Sequence, residues 1–442
     1  MNYTRRVFDD LRLRYKHEPE FLQAASEILQ SIEPIVQMRP EYEDAAILER
    51  LFEPERSISF RVTWLDDNGK LRVNRGIRIQ FNSALGPYKG GLRFHPSVNS
   101  SIIRFLGLEQ TLKNALTGLP MGGAKGGSDF NPRGKSDREI MRFCQSFMTE
   151  LYRHIGPNTD VPAGDIGVGA REIGYLFGQY KRITNTTNGV LTGKAPIYGG
   201  SLGRTEATGS GLLYLVLHVL NERGMTLEGK RVIVSGGGNV AIFAAKKAIA
   251  LGAKVIAMSD SDGWIHDPEG LNLDTIAEIK LERRGRMQEY EALHPGSQFT
   301  SGSGIWQLPC DIALPCATQN ELDAEDAKLL IANGCNLVAE GANMPTTAEA
   351  VALFHEASVL YIPGKASNAG GVAVSGLEMS QNAQHLSWSA EEVDSRLQEI
   401  MAGIYRNISD TAAAYGKPGN YEFGANAAAF IRVADAMLAQ GF

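Results

Sequence analysis

A glycine-rich turn between an apolar strand and a helical stretch most constrains what this chain can fold into. Residues 231–235 read RVIVS and run directly into 236–241, which read GGGNVA. In this G-x-G-x-x-A pattern, Gly236 makes the tight turn and Gly238 lets a pyrophosphate approach the backbone, while free amides at the helix start attract the anion. An ordinary glycine turn is the alternative, but the strand-turn-helix context favours a dinucleotide site. The candidate binding residues of the turn are Gly236, Gly238 and Val240.

Residues after the next predicted strand bear on whether the nucleotide carries a 2′-phosphate. Asp260 lies 24 residues beyond the first glycine of the turn, where an acidic residue usually holds the ribose 2′-hydroxyl of NAD. Ser259 and Ser261 flank it, and cations that follow, including Lys280 and Arg286, suit the additional phosphate of NADP. The basic cluster is equally consistent with a solvated helix end. These residues alone therefore leave NAD and NADP open.

The pattern of the chain changes near residue 200. From there to residue 424, short apolar strands alternate with helical stretches, which is typical of a doubly wound parallel sheet. Residues 1–199 combine helical periodicity with two alternating runs that predict a hairpin. We expect a two-domain α/β protein, with an α/β domain over 1–199 and a Rossmann-like dinucleotide-binding domain over 200–424. The last helical pattern, 425–442, is expected to fold back onto the first domain.

Composition argues against several classes of function. The net charge of −6 includes no long block of like charge, so nucleic acid is not an expected partner. No apolar run approaches the roughly 20 residues that span a bilayer, and the N-terminus lacks the apolar stretch of a secretory signal. We therefore predict a cytoplasmic protein without a membrane span. The four cysteines form no C-x-x-C pair and the eight histidines no H-E-x-x-H, so no metal site is expected.

Three lysines lie in the part of the chain where glycine is densest. Twenty-three of the 48 glycines fall between residues 86 and 211. Lys89 lies in GPYKGGLRFHP and Lys125 in PMGGAKGG, while Lys113 follows Gln110 by three residues, so that both share one face of a predicted helix. An isolated lysine is usually a surface residue, but the glycines around Lys125 leave it open to a substrate. Several ammonium groups in one cleft would lower a lysine pKa toward neutrality, as proton transfer requires.

Asp165, in DVPAGDIGVG, is the carboxylate that could accompany these lysines. Its neighbours are small or apolar, so an Asx-turn or a cap for the helix expected from about Val168 is an equally good interpretation. The local sequence leaves catalysis and capping open.

Nine segments, in this order, carry a resemblance to a known family. They are PYKGGLRFHP, Gln110-x-x-Lys113, PMGGAKGGSDF, DVPAGDIGVG, GGSLGRTEATG, SGGGNVA, LPCATQNEL, AEGANMPTT and ASNAGGVAVSGLEMSQN. Together they resemble the hexameric glutamate dehydrogenases of bacteria and lower eukaryotes, over about Phe8 to Gln440. The resemblance implies reversible conversion of L-glutamate to 2-oxoglutarate and ammonium, with the N-terminal domain binding substrate and building a homohexamer.

The resemblance also assigns roles within the substrate site. It implies that Lys89 and Ser375 bind the side-chain carboxylate of glutamate, and that Gln110 and Lys113 hold the α-carboxylate. The backbone at Gly164 is expected to add a contact. Two separately placed lysines, Lys89 and Lys113, would then each bind one of the two carboxylates of the substrate.

For the chemistry, the resemblance implies that Lys125 polarises the 2-oxo group and that Asp165 moves protons to and from the nitrogen. It places Thr208, Asn239 and Asn343 against the dinucleotide.

Ser259-Asp260-Ser261, followed by Lys280 and Arg286, is similar to the NADP-using members, which favours NADP over NAD. An NAD-linked glutamate dehydrogenase is the first alternative. A catalytically silent nucleotide-binding regulatory protein on the same fold is the second, although the presence of all four charged site residues argues against it.

Overall fold

The structure, a computed structural model, describes residues 2–441 as two compact units. Unit 1 comprises the chain up to Leu202, Val374–Val393 and the chain from Asn426 onward. Unit 2 comprises Gly203–Ala373 and Asp394–Ala425. No helix within the described range is long and apolar enough to cross a membrane.

Seventeen α-helices and twelve strands make up the described chain. The helices are α1 Tyr3–Arg14, α2 Pro19–Met38, α3 Glu41–Asp44, α4 Ile47–Phe52, α5 Ser100–Leu116, α6 Asp137–Leu151, α7 Ala170–Thr184, α8 Ala207–Glu222, α9 Asn239–Ala250, α10 Leu273–Ala277, α11 Gln288–Leu293, α12 Ala324–Ala332, α13 Ala348–Glu356, α14 Gly364–Ser367, α15 Gly370–Gln384, α16 Ala390–Ala414 and α17 Tyr421–Gln440. The strands are β1 Arg56–Leu65, β2 Leu71–Asn82, β3 Tyr88–Phe94, β4 Gly123–Ser128, β5 Asp160–Gly164, β6 Arg231–Val234, β7 Lys254–Ser259, β8 Gly263–His266, β9 Gln298–Ser301, β10 Ile312–Leu314, β11 Leu337–Ala339 and β12 Leu360–Ile362.

Unit 1 is built on a mixed five-stranded sheet of order β1-β2-β4-β3-β5. The predicted hairpin is confirmed as the antiparallel pair β1 and β2, and β3 pairs in parallel with both β4 and β5. Glycine permits the close approach of the central strands, because a Cβ on Gly90 would lie 1.7 Å from the Ala124 carbonyl oxygen. On the helical side, Phe130 stacks on Phe143 with ring centroids 3.8 Å apart, within an aromatic core.

Unit 2 confirms the doubly wound sheet predicted from the alternating pattern. Its seven strands run in the order β12-β11-β10-β6-β7-β8-β9, parallel from β12 to β7, with β8 and β9 antiparallel at one edge. The strands β6 and β10 are short, and their apolar runs, VIV in β6 and IAL in β10, are buried, as is typical of parallel strands covered on both faces.

The segment Val374–Val393 differs from the expected division of the chain, which placed all of 200–424 in one domain. It belongs to unit 1. The physical reason lies in α15, whose polar side chains in this segment are buried against unit 1: Glu378 forms an ion pair with Lys194, and Gln381 donates to Ser201. Such contacts join residues about 180 positions apart in sequence, so local patterns do not reveal them.

Candidate active site

The mixed sheet of unit 1 brings Lys125 and Asp165 into contact. Lys125 lies on β4, and Asp165 directly follows β5, two strands away in the sheet. Lys125 Nζ is 3.4 Å from Asp165 Oδ1, and the Arg93 guanidinium Nε donates to Asp165 Oδ2 at 2.7 Å. Asp165 is therefore shared between two cations that come from β4 and β3.

The pKa values of Lys125 and Asp165 are both lowered, but for different reasons. Burial lowers the pKa of Lys125, the nearby Asp165 carboxylate opposes that shift, and the positive charge of Arg93 adds to it. Burial alone would raise the pKa of Asp165, but Lys125 and Arg93 outweigh it and hold that pKa below its usual range. The lowered lysine pKa is as predicted, but its main cause is burial rather than a group of ammonium ions.

The structure also resolves whether Asp165 caps a helix. Helix α7 begins at Ala170 and has Gly169 at its N-cap, where the Glu172 carboxylate accepts from the Gly169 amide at 2.8 Å. The carboxylate of Asp165 faces Arg93 and Lys125 instead. Glu172 therefore caps α7, and the carboxylate of Asp165 interacts with basic side chains of the sheet instead of with the helix.

Lys89 occupies a buried position on β3. Only 1% of the residue is exposed, and its ammonium Nζ donates to Thr192 Oγ1 at 2.8 Å. In the strand register it lies beside Val161 of β5. Ser375, which the sequence analysis paired with Lys89, is buried on α15.

Helix α5 carries the remaining predicted substrate residues. Gln110 Nε2 donates to Asn114 Oδ1 at 2.7 Å, and buried Asn114 donates to the Lys89 carbonyl at 3.0 Å. A Cβ built on Gly90 would lie 3.1 Å from Gln110 Cγ, so this side chain lies directly over β3. Lys113 lies three residues further along α5 and is half-buried. The Gly164 carbonyl oxygen would be 2.8 Å from a Cβ on Gly91, which places that backbone against β3 as well.

Two residues of this site, Arg93 and Thr192, were missed by the sequence analysis. Arg93 lies in the quoted segment PYKGGLRFHP, and the two-residue period of a strand puts it on the same face as Lys89, which was an available signal. Thr192 lies 103 residues from Lys89, and no local pattern connects the two.

Unit 2 forms the predicted turn for a dinucleotide. Gly236 has φ +93°, a left-handed conformation that favours glycine, and its amide donates to Ser259 Oγ at 2.9 Å. Helix α9 begins at Asn239 with exposed Gly238 as its N-cap, and this N-cap provides no side-chain hydrogen bond to the amides of the first turn. Such amides, together with the helix dipole, suit a phosphate group. Val240 packs near Gly341 from the neighbouring strand-to-helix connection.

Asp260 is already engaged by protein donors. Its Oδ2 accepts from Lys280 Nζ at 2.7 Å and from the Met287 amide at 2.9 Å, and although burial opposes it, these donors hold the pKa of Asp260 below its usual range. Lys280 is mostly buried, which argues against its being a solvated helix end. Arg286 is exposed, donates to Ser261 Oγ at 2.8 Å and forms an ion pair with Asp262.

Asn343 and Thr208, the other predicted cofactor residues, also lie in unit 2. Exposed Asn343 accepts from Asn368 Nδ2 at 3.1 Å, and the Oδ1 atom of Asn368 is buried without a hydrogen-bond partner in the described part of the chain. Thr208 is half-buried near the start of α8, close to Gly371. Asn368 belongs to the segment ASNAGG, and the sequence analysis did not assign it a role.

Among residues 2–441, no group of three or more histidine, cysteine or acidic side chains is arranged to hold a metal ion. All four cysteines are buried free thiols.

Comparison with known proteins gives matches over nearly the whole chain. Residues 199–441 match the family described as Glutamate/Leucine/Phenylalanine/Valine dehydrogenase, and residues 54–182 match its dimerisation domain. The NADP-specific glutamate dehydrogenase of Helicobacter pylori is 56% identical over 446 residues, which cover 99% of this chain and 100% of the relative. That of Salmonella typhimurium is 57% identical over 434 residues, covering 97% and 96%. A crystal structure of Plasmodium falciparum glutamate dehydrogenase matches with a TM-score of 0.97 and 53% identity, covering 99% of this chain and 94% of the other.

Proposed function

The chain belongs to the Glu/Leu/Phe/Val dehydrogenase family, and from that membership we propose that it catalyses the reversible NADP-dependent oxidative deamination of L-glutamate to 2-oxoglutarate and ammonia. The observation that carries the proposal is the contact between Lys125 and Asp165, on the same sheet as buried Lys89. This arrangement combines groups that can move protons with a cation that can select a carboxylate.

Substrate recognition follows from the two ends of glutamate. Lys89, with Ser375, binds the side-chain carboxylate, and Gln110 and Lys113 hold the α-carboxylate, with a backbone contact at Gly164. Because Lys89 is buried, a substrate with an aliphatic side chain would leave its ammonium facing apolar atoms, which costs binding energy. The site therefore favours a dicarboxylic substrate.

Proton transfer falls to Lys125 and Asp165. Burial favours the neutral amine of Lys125, which can take a proton from the water that adds to the imine carbon. Asp165, held as a carboxylate beside Arg93 and Lys125, exchanges protons with the substrate nitrogen. Bound NADP supplies the hydride exchange with the substrate α-carbon. The contribution of the protein is to hold the reacting carbon and nitrogen in place and to move protons around them.

NADP fits unit 2 better than NAD does. The carboxylate of Asp260, which would otherwise accept the ribose 2′-hydroxyl, already accepts from Lys280 and the Met287 amide. We assign the 2′-phosphate to Lys280 and Arg286 beside Ser259, and the pyrophosphate to the turn formed by Gly236, Gly238 and Val240, with the amides of Gly238 and Val240 as its donors. Thr208, Asn239 and Asn343 contact the rest of the dinucleotide.

We further propose a cytoplasmic homohexamer. The match to a dimerisation domain supports self-association. The hairpin of β1 and β2 lies within that match and exposes Leu65, Leu71 and Val73, an apolar surface of the kind that subunits bury. Sedimentation of the full chain would distinguish a hexamer from a dimer.

A spectrophotometric assay with 2-oxoglutarate, ammonium and NADPH tests the activity. We expect oxidation of NADPH that depends on both other substrates, and much slower oxidation of NADH. A faster reaction with NADH would indicate the NAD-linked alternative. Tight NADPH binding without turnover would indicate the silent regulatory protein.

A further inference from the structure

Unit 1 contains another buried ion pair, which joins Lys194 to Glu378 of α15. Lys194 Nζ donates to Glu378 Oε1 at 2.7 Å, and the two side chains are 1% and 0% exposed. Burying two charges is costly unless further hydrogen bonds satisfy them. Such a pair therefore requires an explanation beyond stability.

Further hydrogen bonds of this pair join it to residues 189–201, a segment that we call the Thr192 loop. Glu378 accepts from the Gly193 amide at 2.9 Å and from the Lys194 amide at 3.4 Å, and Lys194 Nζ also donates to the Leu191 carbonyl. On the same face of α15, Gln381 donates to Ser201 and Asn382 to the Gly199 carbonyl. The pair is thus the centre of a row of contacts that holds the loop against the helix.

The Thr192 loop places one hydroxyl group within hydrogen-bond distance of Lys89. Thr192 lies between the two residues that the pair engages, Leu191 and Gly193. Its Oγ1 accepts from Lys89 Nζ at 2.8 Å, and its amide donates to the Pro162 carbonyl on β5 at 3.1 Å. The position of the Thr192 hydroxyl therefore depends on anchors on both sides of it.

Glu378, the member of the pair that lies on α15, is close in sequence to Ser375, the other residue proposed to bind the side-chain carboxylate. Ser375 precedes Glu378 by three residues on α15 and so lies on the same helix face. One ion pair thereby connects the loop that carries Thr192 with the helix that carries Ser375.

We propose that Lys194 and Glu378 are positioning residues that set the preference for a dicarboxylic substrate, by fixing Thr192 and Ser375 around the Lys89 ammonium. The inference rests on the proposed function, since it assigns that ammonium to the side-chain carboxylate. This role assigns neither residue to the reacting atoms, so their loss should affect binding of the side-chain carboxylate rather than proton or hydride transfer.

Glu378→Gln tests the role, because it keeps the shape of the side chain and removes its charge. We expect the KM for 2-oxoglutarate to rise by about tenfold, with kcat within about threefold and the KM for NADPH unchanged. The kcat/KM ratio of 2-oxoglutarate to 2-oxohexanoate, which lacks the second carboxylate, should fall by about tenfold. Lys194→Met should have the same effects as Glu378→Gln. Lys194→Arg, which keeps the positive charge, should retain most of the wild-type kcat/KM ratio.

Glu18→Gln is the matched control, because Glu18 also forms a largely buried ion pair in unit 1, with Arg104 at 2.7 Å. It should leave the ratio of the two oxo acids unchanged. If Glu378→Gln lowers turnover of both acids equally, or leaves the ratio at the wild-type value, the positioning role is wrong. Should Glu378→Gln fail to fold, Asn382→Ala removes a weaker anchor of the same loop and should shift the ratio in the same direction by a smaller factor.

Hydrogen–deuterium exchange separates this inference from the proposed function. In the protein without substrate, peptides covering the Thr192 loop should exchange faster in Glu378→Gln than in the wild type or Glu18→Gln. Unchanged exchange would show that the pair does not hold the loop, whatever the substrate. A wild-type protein that holds the loop but does not act on 2-oxoglutarate would instead overturn the proposed function and, with it, the specificity role.

Discussion

The two units build their candidate sites from different parts of the polypeptide. In unit 2 the turn that leads from Gly236 through Gly238 into α9 offers backbone amides at the helix start, all from one short segment. In unit 1 the site consists of charged side chains that come from separate strands, and the partners Arg93 and Asp165 are 72 residues apart. Backbone amides bind phosphate without a change of protonation, whereas buried side chains can change theirs. The comparison therefore separates a unit suited to binding a nucleotide from a unit suited to chemistry.

Asp165→Asn should give the largest effect and is the strictest test of that separation. The amide cannot exchange protons with the nitrogen, so we expect kcat to fall by about 10²–10⁴-fold, the usual contribution of a general acid or base. NADPH binding, measured by fluorescence titration, should stay within about twofold because unit 2 is untouched. A comparable loss of NADPH affinity would break the division of labour between the units.

Lys89→Leu should give the next largest effect. Losing one partner of a buried charge pair costs about 2–5 kcal/mol, which corresponds to a fall in kcat/KM for glutamate of roughly 30-fold to 4,000-fold. We expect some gain of activity on aliphatic amino acids, because leucine replaces the ammonium with apolar surface. Steady-state assays with glutamate and norleucine check this, and unchanged glutamate kinetics would remove Lys89 from the substrate site.

Lys280→Met tests unit 2 by itself. Loss of a hydrogen bond to a charged group costs about 1.5–3 kcal/mol, so the KM for NADPH should rise by about 10–100-fold. The substitution also releases the carboxylate of Asp260, which should improve the relative use of NADH. The KM for 2-oxoglutarate serves as the internal control, since its proposed site lies in unit 1. If both cofactors are affected equally, Lys280 does not recognise the 2′-phosphate.

Arg93→Met should give the smallest of these effects and refines the role of charge in unit 1. The positive charge of Arg93 helps to lower the pKa of Lys125, so its removal should raise that pKa. The neutral amine is then reached only at higher pH, and the acid limb of the kcat/KM profile should move upward. Arg93→Lys retains a charge and should move the limb less. A profile that shifts downward, or does not shift, would contradict this role of Arg93.

Much of the fold was predictable because its signals are local. Alternating apolarity predicted the hairpin, and the sequence after residue 200 predicted the parallel sheet of unit 2. The local pattern Ser136-x-x-Glu139 forms a capping box at the start of α6, where Ser136 Oγ accepts from the Glu139 amide at 3.1 Å. The turn from Gly236 to Gly238 was likewise predictable from the sequence, because its geometry depends on adjacent residues. The motifs identified the candidate lysines and Asp165 as functional residues, but they did not predict which residues these side chains contact.

Tertiary structure decided the contacts. It gave Asp165 two cations instead of a helix to cap, paired Asp260 with Lys280, and placed Thr192 at Lys89. It also assigned Val374–Val393 to unit 1. These partners are separated by 20 to 103 residues, and each contact depends on strand register or helix packing rather than on neighbouring sequence. The sequence by itself thus determined which chemical groups are present, and only folding determined their partners and hence their charge states.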